Sequence, residues 1–350
     1  MDVKLFQHLS DAGDAGLSLS ALAEKTDVEP ALLQRIMYHL NAMKLVTFSN
    51  GNFYATSLSN GLAEERYQQS IDFCYDVARP SFNGFPKFFK DNGYRTPADL
   101  RTGPFQAAHK SDLAFFDWLV ATPSHLAEFD AFMTAYRAGK PNWYDLGFYP
   151  VAERLMEGFD PSNSDVLLVD VGGGRGHDMS MFVAQHPQHP GKVVLQDREP
   201  VIASIANKEK LPFECQAHDF YTPEPIEGAR AYSLHSILHD WDDERGVKIL
   251  ENLKPALIPG YSRVLLNEIV LSEKHPTLAA TSMDMMMLAH MSVRERTEAD
   301  WRGIIEKAGL TFVRVYNYPG VAESVIEAEL SKVSQLCAIK EEGLNNLPTV

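Results

Sequence analysis

The stretch Val166-Leu-Leu-Val-Asp-Val-Gly-Gly-Gly-Arg-Gly176 is an apolar run that ends in an acid and continues into glycines. A strand followed by glycines and a helix lets a ligand approach bare backbone at the carboxyl end of a sheet. Dinucleotide folds space their glycines as G-x-G-x-x-G to bind pyrophosphate, whereas here Gly172, Gly174 and Gly176 alternate and Asp170 precedes them. A carboxylate repels phosphate but attracts a cation. The stretch therefore predicts a binding loop for a positively charged cofactor, with a purely structural glycine loop as the alternative.

From residue 151 onward, apolar strands alternate with helical segments. The five predicted strands are Val166–Val171, Lys192–Asp197, Phe213–Ala217, Ala229–Ile237 and Arg263–Val270. A closing pair of strands is predicted at Phe312–Asn317 and Glu323–Ala328. Alternation of this kind is typical of a doubly wound α/β sheet. We therefore predict an α/β domain over residues 151–330, followed by a C-terminal tail over residues 331–350.

Two further acids lie at the ends of the next strands of the predicted sheet. Asp197 closes the second strand, where a carboxylate can accept hydrogen bonds from both hydroxyls of a ribose. Asp219 closes the third strand and is followed by Phe220, so that an acceptor and a flat ring are available to an adenine. Either acid alone could be a helix cap. Three acids at successive strand ends, Asp170 included, instead favour a nucleoside cofactor at this edge of the sheet.

A histidine with acids near it in sheet order suggests the chemistry. His239 follows the fourth strand, and an imidazole with its ordinary pKa of about 6.5 can take a proton from a phenol or an enol. Glu268 lies near the end of the fifth strand, and Glu295 follows a methionine-rich helix. A carboxylate beside the other ring nitrogen would fix the tautomer and stabilise the imidazolium. A lone histidine is more often structural, and the competing candidates are His218, His235 and His290.

Residues 1–60 indicate three helices and a hairpin. Asn50-Gly51 lies between two short strand-like runs and is a strong signal for a tight hairpin turn. The order is typical of a winged helix, a unit that often binds DNA. The helix that would read DNA, residues 31–44, carries few basic residues and a wide apolar face. We therefore predict a dimerisation domain over residues 1–108 and rank DNA binding below it.

Aromatic residues crowd the segment over residues 70–150, and its second part, residues 109–150, is predicted to be a helical linker. Most of these rings should belong to a core, because aromatic residues at helical spacing usually do. The alternative is that they form the wall of an apolar pocket. The run Met285-Met-Met287 has the same two interpretations, as core filler or as an adaptable surface for a flat substrate.

Composition excludes several classes of protein. The chain of 350 residues carries 32 basic and 47 acidic side chains, a formal charge of −15, whereas a nucleic-acid surface needs a basic stripe. Its three cysteines lack the spacing of a zinc site or a disulfide framework. The sequence shows no signal peptide and no apolar run of about 18 residues that could span a membrane. These features predict a cytoplasmic protein without a membrane or nucleic-acid partner.

Taken together, the motifs resemble those of small-molecule O-methyltransferases typified by the plant caffeate and flavonoid enzymes, and more closely those of fungal and bacterial polyketide relatives. The resemblance covers nearly the whole chain. Its most specific pieces are Asp170-Val-Gly-Gly-Gly-Arg-Gly176, Leu195-Gln-Asp-Arg-Glu-Pro-Val-Ile202, His218-Asp-Phe220, Leu238-His-Asp-Trp241, Asn267-Glu268 and Arg294-Glu-Arg-Thr297. The resemblance implies a Rossmann-like methyltransferase sheet preceded by a mainly helical winged-helix dimerisation domain, and hence a homodimer.

The resemblance also implies a role for each matching residue. The cofactor would be S-adenosyl-L-methionine, held by Asp170, Gly172, Gly174, Asp197, Asp219 and Phe220. His239 would be the general base, oriented by Glu268 and Glu295. The acceptor, a small aromatic or polyketide-type molecule with a hydroxyl group, would contact Met133, Asp240, Met286, Met287 and His290. Such a reaction requires no metal.

Two positions depart from the family pattern. His235 stands where the family usually has a lysine near the adenine, and Arg198 stands where it has an apolar residue. The same family includes pericyclases, which keep the fold but catalyse rearrangements or cycloadditions. A histidine base with its acids distinguishes the two activities, and this chain has all of them. Methyl transfer is therefore the prediction, with a pericyclase as the first alternative and a DNA-binding regulator as the second.

Overall fold

A computed structural model describes residues 3–97 and 99–331. Of the predicted tail over residues 331–350, all but the first residue lies outside the described part of the chain. Two compact units divide after Gly139: the first runs to that residue and also takes in Ala289–Met291, and the second runs from Lys140 to Leu288 and resumes at Ser292. None of the helices in the described ranges combines the length and apolar character that a bilayer crossing requires.

The first unit begins with three helices and a small antiparallel sheet, in which the strands follow the order β1-β3-β2. The elements are α1 (Leu5–Ala12), β1 (Leu17–Ser18), α2 (Leu19–Thr26), α3 (Pro30–Ala42), β2 (Val46–Ser49) and β3 (Asn52–Ala55). Asn50 and Gly51 both have positive φ, 51° and 82°, as the tight turn between two antiparallel strands requires. The predicted hairpin is thus confirmed. The elements enclose a small core that includes Leu9, Leu33 and Phe53.

The remainder of the first unit is helical. Its helices are α4 (Ser57–Ala63), α5 (Glu65–Asp72), α6 (Arg79–Asp91), α7 (Pro104–His109), α8 (Phe115–Ala121) and α9 (Pro123–Arg137). Aromatic rings from several of them surround the ring of His290, which lies 5.0 Å from Phe115 and 5.9 Å from Phe73 between centroids. Edge and tilted contacts at these distances are favourable. The aromatic residues around His290 therefore form a packed cluster.

The second unit is built on a twisted α/β sheet with strand order β10-β11-β8-β7-β4-β5-β6. Its strands are β4 (Val166–Val171), β5 (Lys192–Asp197), β6 (Glu214–Ala217), β7 (Ala231–His235), β8 (Arg263–Leu271), β9 (Arg296–Thr297), β10 (Thr311–Asn317) and β11 (Glu323–Glu329). The strands from β4 to β8 pair in parallel, and β10 and β11 close the sheet in antiparallel pairs. The predicted α/β class, with its closing pair, is confirmed. The predicted fourth strand, Ala229–Ile237, is shorter than expected. It begins at Ala231, and at its carboxyl end the φ of 53° at Ser236 terminates it after His235.

Helices cover both faces of this sheet. They are α10 (His177–Gln185), α11 (Glu199–Ser204), α12 (Asp243–Leu253) and α14 (Glu298–Lys307). A further helix, α13 (Leu278–Met291), begins in this unit, and its last residues belong to the first unit. One apolar core packs α12 and α14 against the sheet, and a second packs α10 and the segment around Trp143 against it. Every residue of β4 is buried, as expected for a central parallel strand. The carboxyl ends of the parallel strands consequently meet at one edge, where ligands bind in such folds.

Candidate active site

The glycine turn after β4 is tied to the end of the neighbouring strand β5. The amides of Gly172 and Gly173 donate to the carbonyl of Gln196 at 2.8 and 3.0 Å. The amide of Gly174 donates to Oδ2 of Asp197 at 2.8 Å. Three successive backbone amides are thereby oriented toward one strand end, and these hydrogen bonds hold the turn.

The same turn has no room for side chains at two of its positions. A Cβ atom at Gly173 would lie 2.0 Å from Oδ2 of Asp170, and one at Gly172 would lie 2.7 Å from Cδ1 of Ile237. At Gly174, where φ is 63°, no atom lies within 4 Å of such a position. Bare backbone therefore faces open space beside a buried carboxylate. This cradle fits the methionine part of S-adenosylmethionine, which carries an ammonium and a sulfonium charge.

The residues predicted to bind the nucleoside part of the cofactor lie near this turn. Both carboxylate oxygens of Asp197 accept backbone amides, one from Gly174 and one from Arg198 at 2.7 Å. Asp219 is exposed, and its Oδ1 accepts the amide of Tyr221 at 2.9 Å. The ring of Phe220 approaches the Cβ position of Gly172 to 3.8 Å. The structure thus brings the Phe220 ring to the glycine turn and orders both carboxylates by backbone hydrogen bonds.

The predicted general base lies on a short turn after β7. Leu238–Asp240 forms a single 3-10 turn that carries His239, and this side chain is buried. Its Nδ1 atom lies 3.0 Å from Oε1 of Glu295. Its Nε2 atom lies 3.5 Å from Oδ1 of Asp240. Each ring nitrogen therefore lies near a different carboxylate, and the contact with Glu295 is the shorter.

Glu268 interacts with the turn in a different way from Glu295. Its Oε1 atom accepts the amides of Ile237 and Leu238 at 2.9 and 2.7 Å. Within the described residues its Oε2 atom is buried without a hydrogen-bond partner. Glu268 therefore holds the backbone of the turn and contributes charge, while Glu295 contacts the ring of His239.

The electrostatics of the turn follow from burial and from three acids. Burial disfavours the imidazolium, but the charges of Asp240, Glu268 and Glu295 outweigh it and raise the pKa of His239 to about 10. Burial also raises the pKa of Glu268 to about 7 and that of Asp240 to about 6, against the opposing charge of His239. The pKa of His239 is thus far above the ordinary imidazole value on which the sequence argument relied.

The competing histidines have other partners. The Nδ1 atom of His235 lies 2.6 Å from Oδ2 of Asp178, in the first turn of α10. The Nε2 atom of His218 lies 3.6 Å from Oε2 of Glu224. His290 belongs to the aromatic cluster of the first unit. Of the candidate histidines, His239 is the one on the turn next to Ile237, which contacts the glycine turn.

The predicted acceptor contacts are distributed over both units. Met286 and Met287 lie on α13 in the second unit, Met287 buried and Met286 partly exposed. Met133 lies on α9 and, like His290, belongs to the first unit. Asp240 stands beside Nε2 of His239. Among residues 3–97 and 99–331, no group of three or more His, Cys, Asp or Glu side chains is arranged to hold a metal ion.

Sequence reasoning missed three residues that shape this site. Gly173 packs against Asp170, and Ile237 joins the glycine turn to the turn of His239. Arg296 donates hydrogen bonds to the carbonyls of Leu238 and Trp241. Signals were present for two of them, because Gly173 lies inside the glycine run and Arg296 inside the motif Arg294-Glu-Arg-Thr297. Their contacts depend on the folded chain.

Comparison with known proteins gives this arrangement a family. Residues 148–311 match the model of the O-methyltransferase domain. Over 331 residues the chain is 60% identical to the O-methyltransferase mpaG of Penicillium brevicompactum, an alignment that covers 94% of this chain and 83% of the relative. The chain belongs to the O-methyltransferase family. This O-methyltransferase uses S-adenosylmethionine, the cofactor of that family, as the resemblance implied.

Solved structures show that this O-methyltransferase shares its fold with proteins that differ in described activity. LepI in complex with SAM superposes with a TM-score of 0.85 at 28% identity, covering 93% of this chain and 83% of that one. A structure described as a pericyclic reaction enzyme superposes with the same TM-score, identity and coverage. The 60% identical relative is named an O-methyltransferase. Because this identity is much higher than the 28% shared with the pericyclic reaction enzyme, the family activity is O-methylation.

Proposed function

We propose that this O-methyltransferase methylates a hydroxyl group of a small aromatic or polyketide-type metabolite, with His239 as the general base. One observation carries the proposal: a buried imidazole has a carboxylate at Nδ1, 3.0 Å away, on a turn whose Ile237 contacts the glycine cradle. A base beside the cofactor is the arrangement that proton removal and methyl transfer to oxygen require.

The residues at the strand ends would hold the cofactor. Asp170 and the backbone of Gly172 and Gly174 would face its charged methionine part, Asp197 the ribose, and Asp219 with Phe220 the adenine. When bound, S-adenosylmethionine supplies an electrophilic methyl group on a sulfonium. The protein then has to align an acceptor oxygen with that group and handle one proton.

The proton would move to Nε2 of His239. Its Nδ1 atom faces Glu295, so the ring presents Nε2 to an acceptor hydroxyl once His239 is neutral. The imidazolium formed by proton transfer is stabilised by the negative charges of Asp240, Glu268 and Glu295. Glu295 orients the ring, and Glu268 holds the peptide groups that precede it.

The acceptor proposal rests on side-chain chemistry. Asp240 lies beside Nε2 of His239, and Met286 and Met287 offer adaptable apolar surface for a flat molecule. The roles of Met133 and His290, which belong to the first unit, stay predictions from the sequence. Because the 60% identical relative is a fungal O-methyltransferase, we place the enzyme in secondary metabolism, acting on a diffusible small molecule. We also propose a cytoplasmic location, as the sequence predicts.

The domain organisation forms part of the proposal. Residues 1–108 would form the dimerisation domain, residues 109–150 a helical linker, and residues 151–330 the methyltransferase domain. Several large apolar side chains are exposed in the first of these segments: Leu32, Ile36, Tyr38, Met43, Phe48 and Leu58. Exposed apolar residues in such number mark an interaction surface, and a second copy of the chain is the partner we propose.

One experiment separates methyl transfer from pericyclic chemistry, which the superposition on a pericyclic reaction enzyme keeps as a second candidate. The protein is incubated with S-adenosylmethionine carrying a deuterated methyl group and a panel of phenols and hydroxylated polyketides. Mass spectrometry should show a product that carries the label, formed in step with S-adenosylhomocysteine. Turnover of an acceptor without label in the product and without consumption of S-adenosylmethionine would establish the pericyclase instead.

A further inference from the structure

The backbone that carries His239 is held in an unfavourable conformation. Ser236 has φ 53°, in the left-handed region that side chains rarely adopt, and Ile237 follows with φ −110° and ψ −56°. Such strain persists only where surrounding groups determine the conformation, and it is concentrated at functional sites. Contacts from neighbouring elements must therefore hold this turn in place.

On one side, the carboxylate of Glu268 holds the turn by accepting hydrogen bonds from its amides. Glu268 on β8 accepts the amides of Ile237 and Leu238, so both peptide N–H groups preceding His239 end on one carboxylate oxygen. The neighbouring amide of Ser236 donates to the carbonyl of Asn267 at 3.0 Å. Strand β8 thus fixes the incoming backbone.

On the other side, the guanidinium of Arg296 holds the turn by donating hydrogen bonds to its carbonyls. Arg296 on β9 donates from Nη1 to the carbonyl of Leu238 at 2.8 Å and from Nη2 to the carbonyl of Trp241 at 2.5 Å. Its Nε donates to Oδ1 of Asp243, in the first turn of α12, at 2.9 Å. The fork of one guanidinium therefore spans the turn and its exit into the next helix.

The surroundings of Arg296 show that this contact is built into the core. The residue is 1% exposed, and its guanidinium lies 5.0 Å from the ring centroid of Trp301. Burying a charge is expensive, and an apolar side chain would often stabilise the fold equally well. A buried arginine whose hydrogen bonds end on backbone carbonyls of one turn instead fixes the geometry of that turn.

Glu295 and Arg296 are consecutive, and they act on the same turn from one short segment. Glu295 contacts the ring of His239, and Arg296 binds the peptide carbonyls on both sides of it. Arg296 is paired with Val270 of β8, two residues beyond Glu268. The donor and the acceptor that hold the turn are therefore carried by adjacent strands.

We infer that Arg296 is a positioning residue for methyl transfer, which together with Glu268 clamps the turn so that the ring of His239 stays against Glu295. The inference rests on the proposed role of His239 as the base. Loosening the clamp should lengthen the distance between ring and carboxylate without touching the residues proposed to hold the cofactor. A displacement of about 1 Å at a reacting group can cost about a hundredfold in rate.

The test uses the full chain labelled with ¹⁵N-histidine and saturated with S-adenosylhomocysteine, in which the ring nitrogens are titrated by NMR. His239→Gln assigns the resonance. In Arg296→Lys, which keeps the charge but loses the fork, the titration midpoint of His239 should fall by at least about one pH unit, because its favourable charge partners move away. On the first phenol that the labelled-methyl panel shows to be methylated, kcat should fall by about tenfold to a hundredfold, while the Kd of S-adenosylhomocysteine stays unchanged.

Arg230 provides the matched control. It too is a buried arginine whose hydrogen bonds end on backbone carbonyls. The two shortest reach Tyr261 at 2.5 Å and Arg154 at 2.7 Å, and two longer ones reach Leu155 and Glu157 at 3.3 Å. Its guanidinium also lies 4.8 Å from the ring centroid of Tyr261. Arg230→Lys should lower the melting temperature but leave the His239 midpoint and kcat in place. If both variants changed the His239 midpoint and kcat equally, Arg296 would contribute only to packing of the core, and the inference would be overturned.

Asp243→Asn serves if Arg296→Lys does not fold, because Asp243 is about half exposed and anchors Nε of Arg296. It should shift the His239 midpoint in the same direction by a smaller amount. If the titration midpoint of His239 is unchanged in the variants that fold, the inference that Arg296 and Glu268 clamp the turn is overturned. Failure of the proposed function looks different: His239→Gln would then methylate at the wild-type rate, whatever the midpoints show.

Discussion

The Nδ1 atom of His239 lies 3.0 Å from Oε1 of Glu295, although 56 positions separate the two residues in the chain. Glu295 is 1% exposed, and its amide donates to Oδ1 of Asp284 at 2.8 Å. The hydrogen bond of its backbone amide to Asp284 thus positions Glu295, and the Glu295 carboxylate in turn orients the ring of His239. Nδ1 makes the shorter contact, with Glu295, while Nε2 lies 3.5 Å from Oδ1 of Asp240. We therefore propose Nε2 as the ring atom that faces an acceptor hydroxyl.

Replacing His239 tests the base directly. His239→Gln should lower kcat by about a hundredfold to ten-thousandfold, the usual effect of removing a positioned base. Calorimetry should give an unchanged Kd for S-adenosylmethionine, because the residues proposed to hold it lie on other strands. His186→Gln, at a histidine that packs on Phe182, is the control and should keep full activity. Methylation by His239→Gln at the wild-type rate would show that proximity alone carries the reaction.

The raised pKa of His239 makes a prediction for pH dependence. Only the neutral ring accepts a proton, and with a pKa of about 10 its population grows about tenfold per pH unit below that value. We expect kcat/KM to rise steadily from pH 7 to pH 9. A plateau that begins near pH 6.5 would instead indicate an ordinary imidazole.

The same shift predicts how stability changes with pH. A folded-state pKa above the unfolded value of about 6.5 means that the imidazolium stabilises the fold. For His239 this contribution is fully present below about pH 6.5 and is lost as the pH rises through about 10. Denaturant unfolding should therefore show that His239→Gln costs more stability at pH 6 than at pH 10. An equal cost at both pH values would contradict the charge interactions assigned to His239.

The two glutamates should give different phenotypes. Glu268→Gln keeps an oxygen that accepts the amides of Ile237 and Leu238 but removes one charge near His239, so the kcat/KM profile should move to lower pH with little change in limiting kcat. Glu295→Gln removes the charged partner of Nδ1, and kcat itself should fall, though less than in His239→Gln. Profiles of kcat and kcat/KM for both variants check this. Identical profiles would mean that the two acids act alike.

Much of this site could be predicted because strand ends are visible in sequence. Val166–Val171 and Lys192–Asp197 have the bounds that their apolar runs indicate, and parallel strands bring their acids to one edge. The bonds from the amides of Ile237 and Leu238 to Glu268 could not be predicted. They depend on the strand register that pairs His235 with Asn267 and sets Glu268 opposite the turn. The left-handed backbone of Ser236 has no sequence signal either, because neither glycine nor asparagine marks it.

The exposed side chains of the first unit predict a dimer. Ile36 and Met43 are 41% and 55% exposed in the single chain, although both lie on the apolar face that their spacing indicates. Sedimentation velocity at micromolar concentration should show a species of twice the chain mass. Leu32→Glu with Ile36→Glu should convert it to a monomer while the Kd of S-adenosylmethionine stays unchanged. A monomeric wild-type protein would remove the second copy as the proposed partner.

Adjacent glycines in the cofactor loop offer a matched pair of substitutions. A methyl group at Gly173 would collide with Oδ2 of Asp170 at 2.0 Å and with Leu195 at 2.5 Å, two buried groups that cannot move freely. Gly173→Ala should therefore lower the melting temperature and weaken the binding of S-adenosylmethionine. At Gly174 a methyl group would enter open space but force an unfavourable φ of 63°, which costs about 1 kcal/mol. Gly174→Ala should change the melting temperature less, yet weaken binding, because its methyl group would point where we place the cofactor. Calorimetry and thermal denaturation of both variants measure the two effects, and unchanged affinity in Gly174→Ala would move the cofactor away from this loop.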